Sequence, residues 1–322
     1  MSSCNSLPIL SAEAYAEALL ACPRPGAGAV LAFYDHRVGA VCRDPRLLLI
    51  PLDDHICHRG DGLFESICYR QRTIFAFDSH LARLRGGAKA LHMTPPCPWE
   101  EVRRIVLGVA AAGGQDNGDL RVFLSRGPGG FGIAPEQCPV AGLYVVALAA
   151  HEPDAAVYER GLSAFTSEIP PKQEYLARIK NTNYLPNVFM AAEARRKGMD
   201  VAVTFDEHGV MGEAAIANLG IVDAAGRLVS PEIRRILPGT TLLAALELAK
   251  ERMDVVQTDI THANIKAARE VLLFTSATLV QSVTSFDGIP VGQGETRGKP
   301  GPVAGWLREK LLAHMLATGA TF

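Results

Sequence analysis

The chain has little net charge, no cysteine in its second half and no long apolar run. Across 322 residues, 32 Lys and Arg stand against 34 Asp and Glu, for a net charge of -2. The basic excess that nucleic acid or an anionic membrane surface demands is therefore missing, and a small-molecule partner is expected. The seven cysteines (Cys4, Cys22, Cys42, Cys57, Cys68, Cys97, Cys138) are widely spaced and include no C-x-x-C pair. An odd, scattered set argues against a disulfide framework or a zinc site and for reduced thiols in a cytoplasmic protein. The opening M-S-S-C-N-S-L-P lacks a basic stretch followed by an apolar one. The longest apolar run, near Val140–Ala150, is too short to span a bilayer. Internal repeats and low-complexity tracts are also missing.

What is present is the composition of a globular chain, 48% apolar and 20% charged, long enough for roughly two domains. Ser11 caps a predicted helix over 11–21, and A-V-L-A-F-Y-D-H-R-V-G-A-V-C reads as a strand pair turning at Asp35–Gly39. Arg46–Pro51, L-F-E-S-I-C-Y and Thr73–Phe77 read as strands. Asp78 is the expected cap of a helix carrying Leu81, Leu84, Ala88 and Leu91 at helical spacing. A second amphipathic helix follows at Trp99–Ala112, then strands Leu120–Ser125 and Leu143–Leu148. This α+β half, residues 1–150, is expected to form a small domain. Polar residues 151–158 form a linker, and 159–322 a larger domain. There the pattern predicts strands Ser163–Ser167, Val201–Phe205, Ile216–Val222, Leu228–Ser230, Asp254–Thr258, Glu270–Thr275 and Val283–Phe286. Its predicted helices are Leu185–Lys197, Thr240–Met253 and Val303–Ala317.

Two motifs carry little. Gly127-Pro128-Gly129-Gly130-Phe131-Gly132 is a literal G-x-G-x-x-G after a strand, but Pro135 and Pro139 forbid the helix that a dinucleotide pyrophosphate requires. A loop at a substrate mouth is the remaining use. His55 and His58 flank Cys57 with no second cluster to complete a metal site, so loop histidines are expected.

The informative stretch is Y-L-A-R-I-K-N-T-N-Y-L-P-N-V. It sets Lys180 in an apolar context with Tyr184 four residues on, and Glu213 opens the later run G-E-A-A-I-A-N-L-G-I-V. An amine, a phenol and a carboxylate are the groups pyridoxal phosphate needs: the amine condenses with its aldehyde, and the carboxylate keeps its ring nitrogen protonated. L-P-G-T-T at 237–241 offers hydroxyls and free N–H groups at a helix start, which suits an anion as well as ordinary capping. F-T-S-A-T at 274–278 has the same character. Taken singly, Glu213 also reads as a solvated strand-end carboxylate, and Lys180, Arg83 and Arg85 as surface residues.

Together these pieces resemble the class IV, fold-type IV pyridoxal-phosphate enzymes: branched-chain aminotransferases, D-amino-acid aminotransferases and 4-amino-4-deoxychorismate lyases. The resemblance runs in order through H-R-G-D-G-L-F-E (58–65), F-D-S-H-L-A-R-L (77–84), L-R-V-F-L-S-R-G (120–127) and I-K-N-T-N-Y-L (179–185). It continues through 212–222, L-P-G-T-T, T-S-A-T-L-V-Q-S-V (275–283), D-G-I-P-V-G-Q-G (287–294) and G-P-V (301–303).

The resemblance implies two α/β lobes with pyridoxal 5′-phosphate between them, and a homodimer. Lys180 is the implied Schiff-base lysine and the base that moves a proton between Cα and C4′. Glu213 is the partner of the pyridinium, Tyr184 of the ring hydroxyl. Arg83 is implied as the phosphate clamp, helped by Thr240, Thr241 and Ser276. Ala277 and Thr278, with Arg121, fall where a substrate carboxylate is held. The activity implied is transfer of an amino group from an amino acid, branched-chain-like or D-, to a 2-oxo acid.

Departures from the family pattern bear on the substrate. The loop after S-R-G lacks the Arg-x-His pair of bacterial D-amino-acid aminotransferases. An arginine near Phe131, common in the lyases, is absent, and Leu242 stands where branched-chain enzymes carry arginine. The Lys180–Tyr184 spacing follows the D-amino-acid and lyase subgroup, and L-S-R-G-P-G-G-F with N-Y-L-P-N-V looks most like plant-type members. A lyase on the same fold and a non-catalytic phosphate-binding module are the alternatives.

Overall fold

A computed structural model describes residues 7–151 and 154–322. Cys4 and two residues of the expected linker, Glu152 and Pro153, lie outside the described residues. The chain builds two sheets.

The first sheet is antiparallel throughout, with seven strands in the order Ala320–Thr321, Thr73–Ile74, Gly62–Arg70, Gly118–Ser125, Gly142–Ala149, Val30–Asp35 and Ala40–Cys42. Side chains alternate across a strand. Leu63, Ile67 and Tyr69 therefore join Leu120, Val122, Leu124, Leu143 and Val145 in a core against Leu84, Ala88, Val102, Val106 and Val109 of helices Phe77–Ala90 and Trp99–Gly113. The other parity (Phe64, Ser66, Cys68, Asp119, Arg121) faces a cleft shared with the second sheet.

That second sheet has nine strands. Val255–Gln257, Leu228–Ser230, Asn218–Val222, Glu270–Thr275, Leu279–Phe286, Leu162–Thr166, Val201–Phe205 and Met211–Ala214 follow one another, and Ile289–Pro290 flanks Leu279–Phe286. Three of its pairings are parallel. Two of these join consecutive strands and need a helical crossover: Leu185–Lys197 supplies it between Leu162–Thr166 and Val201–Phe205, and Thr240–Ala249 between Leu228–Ser230 and Val255–Gln257. Helices Thr240–Ala249 and Pro302–Thr318 cover this sheet, and their core includes Cys68 and Phe75 of the first half. The two halves thus share apolar surface, and the chain end returns to pair with Thr73–Ile74. Among the described residues no helix is long and apolar enough to cross a membrane.

Several local expectations need correction. Arg46–Pro51 forms no strand; its start is a 3-10 turn, Pro45–Leu47, capped by the Asp44 carboxylate. Thr73–Phe77 shortens to Thr73–Ile74, because Ala76 takes a left-handed conformation (φ 48°) and itself caps the helix. Asp78 sits in the first turn of that helix and pairs with Arg103 instead of capping. The helix from Thr240 ends at Ala249, short of Met253. Within 151–158, residues Ala155–Arg160 begin a helix that Asp154 caps through Ala156 N (3.0 Å). The strand expected at Ile216–Val222 starts at Asn218, and Glu213 lies in a short strand of its own, Met211–Ala214, before it.

Candidate active site

The cleft between the sheets has a volume of about 860 Å³. Arg83, Arg121, Lys180, Tyr184, Thr240, Thr241, Ser276, Ala277 and Thr278 all line it, so residues far apart in the chain meet there. Glu213 lies just behind the wall that Ala214, Asn218 and Leu237 form.

Lys180 follows a single helical turn, Glu174–Ala177, and is held by pairing of its backbone with the first sheet: Phe64 N donates to Lys180 O (3.0 Å). Its Nζ lies 4.5 Å from the centre of the Phe64 ring and 3.4 Å from the Tyr184 hydroxyl. Burial, and after it the nearby Arg83 charge, brings the amine down to about 8, so a sizeable fraction is neutral near physiological pH. A neutral amine is the nucleophilic form. Burial, reinforced by the Glu213 charge, pushes the Tyr184 phenol up to about 12, which keeps it a hydrogen-bond donor. Tyr184 opens helix Leu185–Lys197, with Pro186 in the first turn, where a missing N–H does no harm.

Glu213 is fixed through its backbone by Thr204, whose hydroxyl donates to Glu213 O (3.0 Å) and accepts from Glu213 N (3.2 Å). Its carboxylate accepts from Leu237 N (3.1 Å) and Asn218 Nδ2 (3.4 Å). Desolvation raises its pKa above the ordinary glutamate value, and the Leu237 amide with the charges of Lys172, Lys180 and Arg83 offsets that only in part. Asn218 Nδ2 also donates to Leu237 O (3.0 Å), tying the L-P-G-T-T turn to the strand beside Glu213. Gly239 permits this approach, because a Cβ there would stand 1.9 Å from Asn218 Oδ1.

Beyond Gly239 the helix Thr240–Ala249 begins with no side-chain cap. The Thr241 hydroxyl is buried without a hydrogen-bond partner among the described residues, while that of Thr240 lies 3.2 Å from His80 Nε2. Arg83, which taken singly reads as a surface residue, has a side chain only 10% exposed. It donates from Nη1 to Pro238 O (3.0 Å) and holds Glu65 through Nε (2.8 Å) and Nη2 (2.6 Å). Across the cleft, Thr278 N donates to Thr275 Oγ1 (3.0 Å), and the Thr278 hydroxyl donates to Gln281 Oε1 (2.9 Å). That turn's available amides are therefore those of Ser276 and Ala277, and Cys68 Sγ donates to Ser276 O (2.9 Å) from below. Arg121 donates to its neighbour's carbonyl at Leu120 (3.1 Å).

The donor set fits pyridoxal phosphate. A helix start with an unpartnered buried hydroxyl and an adjacent guanidinium suits the phosphate, and a partly neutral amine lies in the same cleft. Sequence reasoning passed over four residues here: Glu65, His80, Phe64 and Lys172, whose Nζ lies 4.6 Å from the Tyr184 ring centre. Glu65 could have been noticed, since Leu63-x-Glu65-x-Ile67 puts a carboxylate on the apolar parity of a strand. By contrast, the Gly127–Gly132 loop opens no α-helix; a 3-10 turn, Pro135–Gln137, follows it, and Arg59 binds the loop through Gly132 O (2.9 Å). His55 and His58 sit ring to ring at 5.1 Å beside that loop.

Comparison with known proteins agrees with this geometry. The family described as amino-transferase class IV matches residues 62–286. The chain is 31% identical over 317 residues to the chloroplastic D-amino-acid transaminase of Arabidopsis thaliana, covering 96% of this chain and 83% of that protein. A solved branched-chain amino acid aminotransferase from T.th., in complex with pyridoxamine 5′-phosphate, superposes with a TM-score of 0.83 at 25% identity over 90% of this chain and 95% of that one. A 4-amino-4-deoxychorismate lyase structure from Legionella pneumophila, described as putative in its own name, shares the fold at 22% identity (TM-score 0.73; 83% and 95% covered). The chain belongs to the class IV aminotransferases, enzymes that transfer amino groups with pyridoxal 5′-phosphate.

Proposed function

We propose that Lys180 carries the cofactor, that Glu213, Tyr184, Arg83, Thr240, Thr241 and Ser276 hold it, and that D-amino acids are the donors and a 2-oxo acid the acceptor. The observation that carries the first part is the Lys180 amine, lowered to about 8 beside Tyr184 and Phe64 in the cleft that also holds the unpartnered Thr241 hydroxyl. The donor class rests on the 31% identity to the plant D-amino-acid transaminase over 96% of the chain, and on Leu242 standing where branched-chain enzymes carry arginine.

Bound pyridoxal phosphate supplies an aldehyde that captures amines and a ring that withdraws electron density from the substrate Cα. Lys180 Nζ, as the neutral amine, would carry a proton from the substrate Cα to C4′ of the bound cofactor, with the Tyr184 hydroxyl directing it. Glu213 offers its negative charge to a protonated ring nitrogen, held in place by Leu237 N and Asn218. Arg121 and the turn at Ala277–Thr278, through the Ala277 amide, bind the substrate carboxylate, and Phe64 keeps water from the amine. The same chain is proposed to work as a homodimer in the cytoplasm. Leu185, Val188, Phe189 and Ile216 are more than half exposed beside the cleft and call for an apolar cover, and the six described cysteines are free thiols.

The test is the visible spectrum of the purified protein as L- and D-amino acids are added singly. Bleaching by D-amino acids, reversed by 2-oxoglutarate, is expected. Bleaching by branched-chain L-amino acids alone overturns the donor class. A visible band indifferent to all amino acids, with turnover that needs no oxo acid, would favour the lyase that the Lys180–Tyr184 spacing also fits.

A further inference from the structure

Behind the cleft lies a buried polar chain that the reaction itself does not use. Glu65, His80 and Thr240 are 1%, 0% and 5% exposed. They come from three elements: strand Gly62–Arg70, helix Phe77–Ala90 and the first residue of helix Thr240–Ala249. Glu65 Oε2 lies 2.7 Å from His80 Nδ1, and His80 Nε2 lies 3.2 Å from Thr240 Oγ1.

The direction of each hydrogen bond follows from the charges. Glu65 is clasped by Arg83 and His80, which hold its carboxyl down at about 2 against the cost of burial. An ionised carboxylate only accepts, so His80 Nδ1 carries a proton. A second proton on Nε2 would make an imidazolium in a fully buried site. Burial and the charges of Arg83 and Lys180 oppose it, and together they outweigh Glu65. Nε2 is therefore a bare acceptor, and the Thr240 O–H must donate to it. That hydroxyl then turns lone pairs, not its proton, toward anything at the helix start.

We propose that Glu65 and His80 are positioning residues: they commit the Thr240 hydroxyl to His80 Nε2, so that Thr240 meets the cofactor phosphate with its backbone N–H alone and Thr241 supplies the hydroxyl donor. Thr241 Oγ1, buried with no partner among the described residues, is the atom left for that task. The inference rests on the phosphate-binding reading above and adds to it a division of labour between two adjacent threonines.

Two measurements test it. In the holoenzyme, a nitrogen–proton correlation of the histidine side chains, assigned with His80→Gln, is expected to give His80 protonated at Nδ1 only. An Nε2-protonated or doubly protonated ring overturns the proposal without any variant needing to fold. Affinity of the cofactor-free protein for pyridoxamine 5′-phosphate, which Lys180 cannot trap covalently, gives the second. Thr241→Val is expected to weaken binding roughly tenfold or more beyond Thr240→Val, the scale of one charge-assisted hydrogen bond. Equal losses, or a larger loss for Thr240→Val, overturn the proposal. If Thr241→Val and Arg83→Gln both leave the affinity intact, the phosphate-binding reading falls with it, a result distinct from equal losses.

Discussion

Two carboxylates, the buried Glu65 and the half-buried Glu213, stand behind the same cleft, and desolvation acts on both in the same sense, yet they end in opposite states. Glu65 is met by the Arg83 fork and by His80, and it is held far below the ordinary carboxylate range. Glu213 is met by a backbone amide and an asparagine, and it is raised. At Glu213 the Leu237 amide and the charges of Lys172, Lys180 and Arg83 recover only part of the desolvation cost, whereas at Glu65 the Arg83 guanidinium and His80, both in direct contact, outweigh it. The difference teaches what each is for. Glu65 is balanced within the chain and stiffens it. Glu213 forms no ion pair among the described residues, and in the proposed reading a protonated ring nitrogen is the cation that meets it.

The lysine that gives this contrast a purpose comes first among the tests. Lys180→Ala should lower turnover by about 10⁴-fold or more and abolish the visible cofactor band. Retention of the band would mean that neither carboxylate serves the proposed chemistry. Next, Glu213→Gln should cut kcat on the order of 10²-fold. It should also raise the melting temperature of the cofactor-free protein by roughly 2 °C, because a desolvated carboxylate whose partners offset only part of its cost is gone. A fall in that melting temperature would erase the distinction drawn here. Glu65→Gln should do the reverse, costing about 3 kcal/mol of stability by leaving Arg83 unpaired; urea unfolding at neutral pH reads this directly.

The smallest effect is in pH dependence, where the sign separates the two groups. Glu65 has a folded value of about 2, below the 4.5 of an ordinary glutamate. Its stabilisation is therefore complete above about pH 4.5 and is lost as pH falls toward 2. Glu213, with a raised value, contributes oppositely: its share is lost as pH rises through that value. The urea midpoint of the wild type should thus drop between about pH 5 and 3, and that of Glu65→Gln should drop less. Parallel curves would remove Glu65 as the source.

Much of the fold could be read from residue order. Helix Leu185–Lys197 and strands Val201–Phe205, Leu228–Ser230 and Glu270–Thr275 lie where periodicity put them, because each is a local pattern bounded by glycine, proline or a polar turn. Arg46–Pro51 misled, since a run of leucines is equally at home in an irregular segment packed on the surface. The capping role given to Asp78 failed because Ala76, in a left-handed turn after a hairpin, had already redirected the chain. Such a conformation is imposed by packing and leaves no mark in composition.

The sequence by itself determined the class of the protein and its reactive vocabulary: one apolar-set lysine, a phenol four residues on, a carboxylate, and two hydroxyl-rich turns, all in family order. Tertiary structure alone decided which of these groups are charged. Whether Glu65 is clasped by Arg83, whether Glu213 stays raised despite the Leu237 amide and the nearby cations, and whether the Lys180 amine sits near 8 depend on contacts between distant segments. Desolvation and Coulomb energies vary with distances of a few ångströms, and only the folded chain sets those distances.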